Sequence, residues 1–171
     1  NGYPIDAPVE PGKNSKVEAS VTNFQGHVSG SSEDHVTPTK SSVSVEFTED
    51  TNNDHFLTYT ENFDKNASLH DLNTSPVKIT VTDVIVGDIL HVKLTKPDGT
   101  VENGNVPITQ NIIDNGYKID NMPVAEGKVS KVDAYVTNSS NSSNASSNPN
   151  IWKSDIATDN VTPDVRPTLK F

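Results

Sequence analysis

Apolar and polar residues alternate in short runs along this chain, and no stretch carries a convincing amphipathic-helix spacing. The run Val77-Lys78-Ile79-Thr80-Val81 shows the period of two plainly, and turn residues bound it and its counterparts. The pattern predicts strands over 43–47, 77–81, 89–94, 106–108, 117–119, 129–136 and 151–158. Pro97-Asp98-Gly99 and Asp114-Asn115-Gly116 supply turn chemistry between them. About seven short strands with a turn every dozen residues or so predict an all-β chain, folded as an antiparallel Ig-like β-sandwich.

The chain also repeats itself. Residues 1–23 return as 115–138 with one inserted residue at Met122, and 16 of the 23 positions are identical. The match resumes where His35-Val36-Thr37-Pro38 corresponds to Asn160-Val161-Thr162-Pro163, each followed by a strand that ends on a phenylalanine, Phe47 and Phe171. The shift between the copies grows in the Ser/Asn-rich stretch, which predicts a loop of variable length there. Three segments follow: 1–35 as the last strands of one repeat, 36–163 as a complete repeat, and 164–171 as the first strand of another. Three strands cannot close a sandwich, so the flanking partial repeats need packing partners.

Composition narrows the picture. Of the 171 residues, 54 are Asn, Ser or Thr, a vocabulary of strands and turns rather than of helix interiors. Only 32% are hydrophobic, which leaves thin cores and disfavours a large enzyme core. Cysteine is absent, so no disulfide, thiolate metal site or cysteine nucleophile exists, and any staple must come from packing or from a hard cation held by oxygens. A net charge of −10 argues against nucleic acid and anionic membranes as partners. No apolar run reaches the ~18–20 residues of a membrane span, and no basic segment followed by an apolar one opens the chain, so it reads as a soluble interior or mature segment.

The most specific chemistry lies in residues 49–61. Counting from Asp50, side-chain oxygens fall on the first, third and fifth places (Asp50, Asn52, Asp54), a backbone carbonyl on the seventh (Phe56), and a carboxylate on the twelfth (Glu61). That is the ligand spacing of an EF-hand loop, in which a tight turn brings oxygens inward and the distant Glu binds with both of its own. His55 stands where that loop normally has glycine, and the flanks read as strand and loop rather than as paired helices. A solvated acidic turn between strands is the plainer alternative. Further acids stand at the two repeat junctions, Asp34 before Val36-Thr37-Pro38 and Asp159 before Val161-Thr162-Pro163, where they would either clamp a cation between domains or decorate a polar linker. Asp83, Asp88, Asp98 and Glu126 read as turn formers near strand ends.

Catalytic constellations are poor. The five histidines are scattered, with no His-Glu-x-x-His, no Gly-x-Ser-x-Gly elbow and no phosphate loop, so the chain is expected not to be an enzyme. His91 reads as an outward-facing residue of its strand, and Trp152 as a cap on one end of the sandwich. Residues 138–149, with three consecutive Asn-x-Ser triplets, read as a long hairpin loop.

In order and spacing these landmarks resemble a known family. They are Val36-Thr37-Pro38, Glu49-Asp50-Thr51-Asn52-Asn53-Asp54, Val86-Gly87-Asp88-Ile89-Leu90 and Ile113-Asp114-Asn115-Gly116, followed by Pro123-Val124-Ala125-Glu126-Gly127. Val132-Asp133-Ala134-Tyr135-Val136-Thr137-Asn138 and Ala157-Thr158-Asp159-Asn160-Val161-Thr162-Pro163 complete the set. The sequence is similar to the tandem Ig-like repeats of very large bacterial surface adhesins exported by type I secretion, the Bap/RTX-adhesin class of biofilm and host-attachment proteins. The resemblance implies an extracellular extender repeat on the bacterial surface, rigidified by calcium. Its partners would be neighbouring Ig-like repeats of the same chain, and other domains would meet the host or surface ligand. Two departures stand out: Asp54-His55 replaces the family's Asp-Gly, and Asn138 with the Ser/Asn loop replaces its Asp-x-Ala-Gly-Asn.

A second reading makes the chain a binding module, in which the 138–149 loop or Trp152 meets a glycan, protein or surface directly. A cadherin-like repeat is a third. It lacks support, because no Leu-Asp-Arg-Glu-like segment occurs and the Asn-Asn-Asp run sits in the wrong part of the domain.

Overall fold

A computed structural model describes residues 4–5, 7–10, 12–58, 60–61, 73–138 and 152–165. The expected loop at 138–149, apart from Asn138, and the end of the predicted strand in 164–171 lie outside these residues, as does Ile151.

Ten strands and one short helix follow one another: β1 (Ser15–Ala19), β2 (Ser32–Val36), β3 (Ser42–Phe47), β4 (Phe56–Leu57), β5 (Thr74–Thr82), β6 (Ile89–Thr95), β7 (Val101–Pro107), α1 (Gln110–Asn115), β8 (Tyr117–Pro123), β9 (Ser130–Thr137) and β10 (Ala157–Pro163). A three-stranded sheet, β3-β5-β8, packs on a five-stranded one, β4-β10-β9-β6-β7, and every pairing is antiparallel except that of β4 with β10. The expected Ig-like sandwich is therefore present, with β3, β5 and β8 in one layer and β6, β9 and β10 central to the other.

The alternation read from the sequence is what builds this core. In β5 the buried side is Ser75, Val77, Ile79 and Val81, and in β9 it is Ser130, Val132, Ala134 and Val136. Phe47, Leu57, Leu90, Ile108 and Met122 fill the space between the sheets.

Three local expectations need correction. The strand expected over 151–158 is β10, shifted to Ala157–Pro163, because the buried hydroxyl of Ser154 accepts Val136 N–H (2.9 Å) in place of a backbone carbonyl and interrupts the ladder ahead of Ala157. Thr162-Pro163, the last residues of the repeat read over 36–163, form the end of β10. Pro163 is tolerated because the β9 ladder has ended at Val161, so its missing N–H is not needed there. The strand expected over 106–108 starts at Val101: β7 is an edge strand, exposed along most of its length, so burial never wrote alternation into Val-Glu-Asn-Gly-Asn-Val-Pro. Finally, α1 stands where only a turn was expected. Thr109 caps it by accepting from Ile112 N–H (3.4 Å) and Gly116 ends it at φ 80°, a length too short to show helical periodicity.

The internal repeat is visible in the hydrogen bonding. In β1–β2, Ser15 pairs with Val36 and Val17 with Asp34, and the matching residues of β9–β10 pair in the same register, Ser130 with Val161 and Val132 with Asp159. Three bonds outside the ladders recur as well. Gly12 N–H donates to Pro38 O as Gly127 N–H does to Pro163 O, Lys13 N–H to Glu10 O as Lys128 N–H to Ala125 O, and Ser15 Oγ to Pro8 O as Ser130 Oγ to Pro123 O. Burial differs: Val17 and Val36 are exposed, whereas Val132 and Val161 are fully buried.

Candidate functional site

The loop after β3 turns on the carboxylate of Asp50, which is buried, with 5% of its surface exposed. Its Oδ1 accepts Asp54 N–H (3.1 Å) and its Oδ2 accepts His55 N–H (2.9 Å). Asn52 Oδ1 accepts Asp54 N–H (3.0 Å), Asp54 Oδ1 accepts Phe56 N–H (2.8 Å), and the Asn52 amide donates to Asp54 Oδ2 (3.0 Å). The chain bends back at Asn53 and His55, both left-handed (φ 58° and 68°), and His55 thereby adopts the conformation that glycine supplies in an EF-hand loop. The alternate oxygens thus cap the backbone N–H groups that so tight a turn leaves without ladder partners.

Glu61 closes the segment. Its Oε2 accepts Thr58 N–H (3.0 Å) and the Thr58 hydroxyl (2.7 Å), and its Oε1 accepts the Thr51 hydroxyl (3.3 Å). Slight burial and the charge of Asp54 push its pKa up, and the hydrogen bonds from Thr58 and Thr51 outweigh them, so the group stays below the ordinary carboxylate value. Phe56 opens β4 with its ring exposed. The carbonyls on either side of it, His55 O and Leu57 O, accept Thr162 and Asp164 N–H from β10 and its end, so the Phe56 carbonyl alternates away from β10.

The two junction acids have different fates. Asp159 lies on the inward side of β10, 6% exposed, where Oδ2 accepts Phe47 N–H (2.8 Å), Oδ1 accepts Asn160 N–H (2.8 Å), and His55 Nδ1 stands 3.4 Å from Oδ1. It therefore fastens the end of β3 and the acidic loop to β10. Asp34, its counterpart in the first copy, is exposed on β2, and its Oδ1 accepts His35 N–H (2.9 Å).

Of the seven sequence-predicted ligands, Asp50, Asn52, Asp54, Phe56 and Glu61 are thus gathered on one loop with Asp159 beside it through His55, while Asp34 belongs to the other hairpin. The donors are hard oxygens of the kind calcium prefers. Among the described residues, however, no group of three or more His, Asp or Glu is disposed to hold a metal ion. The turn acids act locally: Asp98 takes the Thr100 N–H and hydroxyl, and Asp88 Oδ2 takes Ile85 N–H.

No protein-family model matches the chain, and neither does any curated protein or solved structure.

Sequence reasoning missed a second assembly, on the outer face of the five-stranded sheet. His91 points outward, as expected, and stacks on Tyr135 (centroids 4.5 Å apart, planes at 12°). Its ring nitrogens meet Asn105 Oδ1 (2.7 Å) and Thr137 Oγ1 (2.9 Å), and Lys153 Nζ stands 3.9 Å from the Tyr135 centroid. These residues come from four separate stretches of chain, so only strand register brings them together. Trp152 is partly buried against the core, and its backbone N–H donates to Asn138 Oδ1 (3.2 Å).

Proposed function

We propose that this chain is a structural repeat from the stalk of a bacterial surface adhesin, an extracellular module that spaces binding domains away from the cell, with calcium as its stiffening ion. The observation that carries the reading is the recurrence of one hairpin, in the same register and with the same three accessory bonds, at both ends of the described chain. Such recurrence suits a string of like modules joined end to end. The thin core, the absence of cysteine and the net charge of −10 suit an acidic extracellular rod better than a nucleic-acid partner or an enzyme. No helix among the described residues is long and apolar enough to cross a membrane.

In this reading Asp50, Asn52, Asp54, the Phe56 carbonyl and Glu61 would hold calcium, with Asp159 behind them. Binding would require Glu61 to exchange its bonds to Thr58 and Thr51 for the ion. An ion bound by the folded chain alone, at about 100 times its dissociation constant, adds roughly 2.7 kcal/mol of stability. The test is a thermal melt in chelator and in excess calcium, run alongside small-angle scattering of arrays of two and three repeats. A calcium-dependent rise in midpoint, abolished by Asp54→Ala, and a length that grows in proportion to repeat number support the proposal. An unchanged midpoint removes calcium, and arrays that collapse in both conditions remove the stalk.

A further inference from the structure

The outer face of the five-stranded sheet carries a groove of about 700 Å³ that the turn-and-loop chemistry above does not use. Register sets its floor as cross-strand rows. One row is Asn105, His91 and Tyr135, and the next is Asn103, Lys93, Asp133 and Thr158. Lys131 borders the second row.

Charge is distributed unusually here. In a chain of net charge −10, Lys93 and Lys131 line the groove and Lys153 stands at its Tyr135 end, against one groove acid, Asp133. That acid is already engaged: its Oδ1 accepts the Lys131 ammonium (2.8 Å) and the Thr158 hydroxyl (2.6 Å). Lys93 adds its field to Asp133 yet forms no ion pair among the described residues, so its ammonium is left for an incoming anion. Around it the amides of Asn103 and Asn105 and the Thr158 hydroxyl offer donors and acceptors at the spacing of a sheet, as polyhydroxylated ligands require. The stacked His91–Tyr135 pair supplies a rigid wall, fixed by Asn105 and Thr137.

We propose that this groove binds an acidic saccharide, whose carboxylate pairs with Lys93 and whose hydroxyls meet the Asn103, Asn105 and Thr158 side chains. A neutral sugar would leave the Lys93 ammonium unpaired, and a bare anion would leave the amides unused. The proposal does not depend on the stalk reading, since the groove lies on one sheet of a single module.

Titration of the isotopically labelled chain with 3′-sialyllactose, digalacturonate, lactose and inorganic phosphate, followed by amide chemical shifts, tests it. Saturable shifts centred on Lys93, Asn105 and Tyr135 with at least one acidic sugar are expected. Lactose and phosphate should bind about tenfold or more weakly, the difference one charge-assisted hydrogen bond makes. Lys93→Glu should abolish the binding, whereas Lys118→Glu, at a lysine on β8 of the other sheet, should not. Both are exposed or half-exposed, and an unchanged amide spectrum outside the mutated site verifies folding. Failure of both acidic sugars to bind, equal binding of lactose or phosphate, or full binding by a folded Lys93→Glu chain overturns the proposal.

Discussion

Asp159→Ala tests the idea that one inward carboxylate ties β3 to β10. In the parent, Asp159 Oδ2 accepts Phe47 N–H at 2.8 Å and Oδ1 accepts Asn160 N–H at 2.8 Å, with Phe47 fully buried and Asp159 6% exposed. Alanine removes both acceptors and leaves the Phe47 N–H facing a void that no backbone carbonyl fills. A hydrogen bond to a charged acceptor is worth about 1.5–3 kcal/mol, and an orphaned buried donor keeps its desolvation cost, so the variant should lose about 2–3 kcal/mol. At about 3 °C per kcal/mol for a chain of this size, the melting temperature should fall by roughly 6–9 °C. Asp159→Asn keeps one acceptor oxygen and should lose roughly half as much. The repeat supplies its own control: Asp34→Ala, at the matching position of the first copy, touches an exposed side chain and should cost no more than about 0.5 kcal/mol. Urea unfolding followed by Trp152 fluorescence, which reports on the core that Trp152 packs against, and by circular dichroism measures all three. Equal losses at positions 34 and 159, or an Asp159→Ala chain within about 0.5 kcal/mol of the parent, would refute the reasoning.

Three further outcomes are expected. At Asp133 burial raises the pKa, but the bonds from Lys131 and Thr158 and the charges of Lys131 and Lys93 outweigh it and hold the group below 3.8. Its stabilising contribution is therefore complete above that value and lost as pH falls through the lower folded pKa. The gap in melting temperature between the parent and Asp133→Asn should accordingly shrink below about pH 4, and a gap constant with pH would count against this. Gly116→Ala should cost about 3 kcal/mol in urea unfolding, because at φ 80° a Cβ would stand 2.8 Å from Ile79 O and 3.2 Å from Lys78 Cε. His55→Gly should gain about 1 kcal/mol at pH 8 by relieving the left-handed φ of 68°; a loss instead would mean that the imidazole beside Asp159 holds the loop down.

What could be read in the sequence follows burial. Strands β5 and β9 were legible because one face of each is wholly inside, so alternation was enforced at every second residue. Edge strand β7 has no such constraint and was read only from Val106, its one half-buried residue, onward. The start of β10 was misplaced because Ile156, within the expected strand, is exposed, while Asp159, which looked like linker, is inside. A buried carboxylate that replaces a backbone acceptor cannot be told from a surface acid by residue type. The groove escaped for a related reason: Lys93, Lys131 and Lys153 become neighbours only once β6, β9 and the stretch before β10 lie side by side.

The Asp50 to Glu61 loop shows where a spacing argument stops. Oxygens on the first, third and fifth places of a tight loop serve two ends at once, since the lone pair not facing the centre is free to hold the backbone N–H groups that the turn exposes. Asp50, Asn52 and Asp54 hold four such N–H bonds, so the same spacing serves to cap the turn. Convergence on an ion is a separate condition, and it rests on Glu61, whose side chain is held by Thr58 and Thr51 and would have to leave them to face the loop centre. The threonines hold Glu61 with three hydrogen bonds, and Asp54 repels it, a repulsion that a divalent cation between the two would reverse. Thr58→Val should therefore free Glu61 from the hydroxyl bond and raise calcium affinity if the loop is a calcium site. If the loop is only a capped turn, the same change should lower stability with no response to calcium.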